Sequence, residues 1–167
     1  METGYQVLDE LERREAASGS NQATQRSFWN GIWKLNIPNK IRIFCWQACT
    51  ESLPTMKNLY CRKVVDSPLY TYGKSEETAT HALWECEKIQ TSWGSEFNEV
   101  RKLPQRPISV TNLICRIGHE GKNVELFSVL AWFIWCRRNK CHFKEPSLPP
   151  DKLFEVASKS LAEFQTK

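Results

Sequence analysis

FWNGIWKLNIPNKIRIFCWQACTESLPTMKNL (28–59), followed after a basic segment and a short polar loop by ETATHALWECEKIQTSW (77–93), decides how this chain folds. The two stretches hold five of the seven tryptophans, Trp29, Trp33, Trp46, Trp84 and Trp93, with Lys and Arg set between them. An indole lowers the free energy of a fold only when its large apolar face is covered. Aromatic residues at helical spacing, with prolines at the joints, therefore predict short helices wedged against one another. The expected fold class is mainly all-α: a small bundle of short helices, with a turn-rich loop or minimal hairpin near residues 66–77.

Outward from that stretch, Ser27 offers a cap for a helix through Lys34. Pro38 suits the first turn of a helix running to about Cys49, with Ile41, Phe44, Cys45 and Ala48 on one face. Pro54 and Thr55 stop and restart the chain, predicting a third helix near Met56 to Arg62. A helix from Glu77 or Thr78 through Trp93 is expected, with Gly94 as its stop. Further on, Pro104 and Pro107 punctuate a loop, Val110 to Ile117 reads as a short helix, Val124 to Phe143 as a long one, and Asp151 opens a last amphipathic helix. In that last helix Leu153, Phe154, Ala157, Leu161 and Phe164 are spaced to bury one side. Before Ser27, residues 5–15 carry a narrow apolar stripe (Tyr5, Leu8, Leu11) and Ala16 to Gln25 reads as a linker. The expected organisation is an N-terminal helix and linker (1–25), a compact unit (26–94) and a helical C-terminal connector region (95–167).

At 167 residues the chain is long enough to bury a substantial core without disulfide or metal staples. Seven cysteines, an odd number, argue against a secreted disulfide framework, and METGYQVLDELERREAAS offers no apolar leader core. The expected location is intracellular, nucleus or cytoplasm, with reduced thiols. The run VLAWFIWC (129–136) is too short to span a bilayer, which takes about 20 residues, and reads as a core helix. No membrane partner is expected.

The net charge of +4 is unevenly spread. Arg26, Lys34, Lys40, Arg42, Lys57, Arg62 and Lys63 face a single acid, Glu51, between positions 26 and 63. Such a segment favours a polyanion. The candidate nucleic-acid-binding residues are Lys34, Lys40, Arg42, Lys57, Arg62 and Lys63, with Trp29 or Tyr70 as stacking candidates and Trp33, Phe44 and Trp46 assigned to the core.

His81 and Cys86 have a spacing compatible with paired zinc ligands. A structural zinc needs four donors, and the nearest upstream thiol, Cys61, has no Cys partner three residues on to make a Cys-x2-Cys pair. Catalysis finds no support: a Tyr-x-Asp-Asp turn is absent, Asp9, Asp66 and Asp151 are the only aspartates, and Cys141 and His142 are helix neighbours pointing about 100° apart. No enzyme activity is expected.

Trp33-Lys34-x-x-Ile37-Pro38-x-Lys40-Ile41-x-x-Phe44-x-Trp46, then Leu53-Pro54-Thr55, Asn58-Leu59, Arg62, Glu77-Thr78, His81 and Cys86, resembles the zinc-binding domain of plant non-LTR (LINE-type) reverse transcriptases. The resemblance covers roughly residues 28–93, and Gly4 to Val7 resembles the family's lead-in. It implies a module lying after the polymerase and before a ribonuclease H domain. It also implies a Cys-x2-Cys pair in the loop before Glu77. Here Tyr70 falls on the first of those positions, and the second is deleted or replaced near Tyr72. His81 and Cys86 are thus the remaining half of a zinc site, and a metal-free fold is the favoured reading, with zinc the one cofactor left open.

The function expected is a retroelement-derived, non-catalytic accessory module binding RNA or DNA through its basic segment. A scaffold linking the polymerase and ribonuclease H domains, or a truncated relic without a selected role, are the alternatives.

Overall fold

A computed structural model of the chain describes residues 21–70 and 75–167. The stripe expected over 5–15 and the linker's first half lie outside them. From Asn21 on the chain is already helical. Helix α1 (Asn21–Trp33) absorbs the end of the expected linker, and Ser27 is an exposed interior position rather than a cap. The reason is an i, i+4, i+8 row: Thr24 and Ile32 are buried and Phe28 half-buried, so one stripe carries the helix back beyond Ser27.

Helix α2 (Asn39–Cys49) follows Pro38, whose φ of −54° leads into it, and buries Ile41, Phe44, Cys45 and Ala48 as the spacing predicts. Trp33 and Trp46 depart from expectation: both are exposed, at 41% and 42%. On α2 the apolar residues run all round the helix, and packing takes the face opposite Trp46. Helix α3 (Met56–Cys61) starts at Thr55, whose Oγ1 accepts the Asn58 N–H at 3.2 Å.

The segment before Glu77 is held by one antiparallel bridge, Leu69 to Glu76, flanked by Tyr70 N–H donating to Ser75 O (3.0 Å) and Glu77 N–H to Pro68 O (3.0 Å). Positions 71–74, Tyr72 among them, lie outside the described residues. No longer strand occurs among the described residues, and the chain is a small all-α bundle.

The continuous helix expected over 77–93 is instead split. A π turn, His81–Glu85, ends at Cys86, whose ψ of 127° is extended, and a 3₁₀ helix, Glu87–Trp93, follows. Gly94 stops it at φ 64°. A short α4 (Asn98–Arg101) then appears between the Gly94 stop and Pro104, where the sequence reading placed no element. Next come α5 (Val110–His119), capped by Ser109, and α6 (Val124–His142), capped by Asn123. A 3₁₀ turn at Pro150–Lys152 leads into α7 (Leu153–Gln165), which buries Leu153, Ala157 and Leu161 and leaves Phe154 and Phe164 half-buried.

Helix α6 is the hub, packing on α7, α2, α5 and the split segment. Val129, Leu130, Ala131, Ile134 and Trp135 are buried in it, which makes VLAWFIWC a core helix. No helix among the described residues is long and apolar enough to cross a membrane. At the centre sits Trp93, fully buried: it stacks on Phe127 (centroids 5.1 Å, 15°) and meets Trp84 and Phe97 edge-on at 4.9 and 5.6 Å. Buried residues from both sides of Gly94 thus form one cluster, from Ile32 to Leu161.

Candidate metal centre and basic segment

Five residues apart, His81 and Cys86 would point about 140° from each other on an α-helix of 3.6 residues per turn. The π turn changes this. Its closing bond, Cys86 N–H to His81 O at 2.9 Å, spans that interval and brings the two side chains to one side. The turn is entered through Thr78, whose Oγ1 accepts the His81 N–H at 3.0 Å.

Tyr70 completes the cluster. Its ring lies 5.3 Å from the imidazole at 59°, and its hydroxyl engages Cys86. Burial, and then the neighbouring Cys86, push the Tyr70 phenol well above its ordinary range. Burial opposes ionisation of Cys86, but contacts with His81, the Lys88 backbone and Tyr70 outweigh it and lower the thiol's pKa. The Cys86 contact raises the His81 pKa against the opposing effect of burial. The imidazole Nε2 is buried and has no well-aligned hydrogen-bond partner.

The donors in direct contact at this point are therefore one imidazole, one thiol and one phenol. No group of three or more His, Cys, Asp or Glu side chains is gathered among the described residues. A closed structural zinc shell takes four thiolate, imidazole or carboxylate ligands. The described residues do not fit one.

A carboxylate missed by sequence reasoning lies next to this cluster. Glu77 is fully buried, accepts the Met56 N–H at 3.0 Å through Oε1, and is held by both forks of Arg138, Nε to Oε2 at 3.1 Å and Nη2 to Oε1. Arg138 in turn lies 4.8 Å over the Trp135 ring. One acid thus ties the start of α3 to the last turns of α6. Its partner lies 61 residues away, out of reach of any local pattern.

The basic candidates differ in what they do. Lys34, Lys40, Arg62 and Lys63 are exposed. Lys40 Nζ also lies 5.8 Å over the Trp132 ring. Arg42 is half-buried, its Nε donating to Leu35 O at 3.1 Å, and Lys57 is ion-paired with Glu76 at 3.5 Å. The two stacking candidates are engaged elsewhere: Trp29 is half-buried against Phe28 (5.0 Å, 74°), and Tyr70 is part of the cluster just described.

Thiol chemistry has little footing elsewhere. All seven cysteines are free, and burial pushes Cys45 up to about 11 and Cys115 up to about 12. Cys141 Sγ sits 3.4 Å from Ser147 Oγ, while the His142 ring packs edge-on against Phe143.

Residues 14–93 match the family described as zinc-binding in reverse transcriptase. The match covers slightly less than half of the chain. No curated protein and no solved structure matches the chain. The matched segment ends at Trp93, the residue at the centre of the core, and contains His81, Cys86, Glu77 and all six basic candidates.

Proposed function

We propose that this chain is a non-catalytic accessory module of retroelement origin, of the plant LINE type its motif resembles, that binds RNA or DNA through the basic segment between Lys34 and Lys63. The observation that carries the reading is the charge of the first two helices. From residue 21 to residue 50 the sequence holds Arg26, Lys34, Lys40 and Arg42 and no acid, and Arg62 and Lys63 add two exposed cations beyond α3. Such a surface attracts phosphate by releasing condensed counterions. The non-catalytic reading rests on the three scattered aspartates, which offer no paired carboxylates for two-metal chemistry.

The test is a salt titration with labelled RNA and DNA. If about four cations take phosphates, log K falls against log salt with a slope of about −3 on a single strand, at roughly 0.7 per contact. Absent or salt-independent binding at about 50 mM salt overturns the proposal and favours a scaffold that contacts the polymerase or ribonuclease H domains instead.

A further inference from the structure

The surface that remains unexplained is the outer face of α2 together with the end of α1. Ile41, Phe44, Cys45 and Ala48 point inward; at 100° per residue the opposite arc is centred on Asn39, Ile43 and Trp46. Ile43 and Trp46 are each 42% exposed, and Trp33, closing α1, is 41% exposed. A single exposed apolar residue is unremarkable. Here two indoles and an isoleucine lie within one acid-free span.

The flanks of that arc are cationic. Lys40 stands on one side of Ile43 and Trp46, Arg42 on the other, and the Arg42 bond to Leu35 O holds the guanidinium near the turn that follows Trp33. Neutral indole faces bordered by cations complement a polymer that alternates flat bases with phosphates. An acidic peptide would use the cations and leave the indoles uncovered. A duplex would do the same, because its base faces are already stacked on one another.

We infer that Trp46 and Trp33 stack on unpaired bases of single-stranded RNA or DNA while Lys40 and Arg42 take the adjoining phosphates. This rests on the proposed nucleic-acid binding and adds to it a preference for single strands and two residues outside the basic set.

Fluorescence anisotropy on the full chain tests it with four probes of equal length: oligo(U), oligo(dT), a fully paired duplex, and an abasic strand that keeps the phosphates and lacks the bases. At least one of oligo(U) and oligo(dT) is expected to bind about tenfold or more tighter than both the duplex and the abasic strand, and which of them does so identifies the polymer. Trp46→Ala and Trp33→Ala should each weaken single-strand binding about 5- to 100-fold and leave the salt slope unchanged, and Trp46→Phe should retain most of the affinity. The abasic arm needs no variant, so a misfolded mutant cannot mask the answer. Equal affinity for the base-bearing and abasic strands overturns the stacking inference; if the salt slope persists, the proposed function stands. No binding to any probe by the unaltered chain overturns both.

Discussion

Glu77 shows what one residue can hold when its partners come from two helices. It has no exposure, and the side chain of Arg138 is only 10% exposed, so each charge depends on the other to offset its lost hydration. Glu77→Ala leaves a guanidinium without its carboxylate and the Met56 N–H without its acceptor. A loss of about 3–5 kcal/mol is expected, read from urea unfolding curves. Adding Arg138→Met to Glu77→Ala should recover part of that loss, because the uncompensated charge goes with the arginine. A single Glu77→Ala variant within about 1 kcal/mol of the unaltered chain would show the pair to be ornamental. The sequence displayed Glu77 as one letter of a motif. Its role was not legible there, because burial and a partner far along the chain are properties of the assembled fold.

At the scale of elements, boundaries set by side-chain hydrogen bonds were readable and irregular turns were not. Thr55 announced α3, and the apolar run from Val124 predicted α6 to within one residue of its observed end. The segment 77–93 read as one helix because Ala79, Ala82, Leu83, Cys86, Ile89 and Trp93 all lie at helical intervals. A π turn keeps those apolar positions facing inward while gathering His81 and Cys86, so periodicity alone cannot tell it from a continuous helix. Gly94 was legible as the stop, and its geometry explains why. Its φ of 64° with ψ of −174° is a region reserved almost wholly for glycine, and a Cβ there would meet Phe154 Cδ2 at 2.8 Å. Gly94→Ala should cost roughly 2–4 kcal/mol, combining backbone strain with overpacking against α7, and should show as a lowered thermal midpoint. An unchanged midpoint would mean that neither the turn nor the Phe154 contact is fixed.

For the molecule as a whole, the question is whether a metal or the packed rings keep it folded. Hydrophobicity alone pointed to α6 as a core helix, and Val129, Leu130, Ala131, Ile134 and Trp135 are buried in it. Spacing picked the buried face of α2, Ile41, Phe44, Cys45 and Ala48, but bulk and apolarity also assigned Trp33 and Trp46 to the core, so the exposed indoles became visible only in three dimensions. The core that results runs from α1 to α7 and includes Trp84 and Phe97, each in ring contact with both Trp93 and Phe127. Each such side chain contributes about 1.5–3 kcal/mol when fully buried. A structural zinc in a small finger supplies about 10–16 kcal/mol because little else is there to fold. In this chain the rings are numerous, and Tyr70, His81 and Cys86 contact one another directly where a clasp would close. Dialysis against EDTA is therefore expected to move the thermal midpoint by less than about 2 °C, and elemental analysis to find well under one zinc per chain. A drop of more than about 10 °C, reversed by adding zinc, would show that donors beyond those three complete a shell and that the rings alone do not hold the bundle.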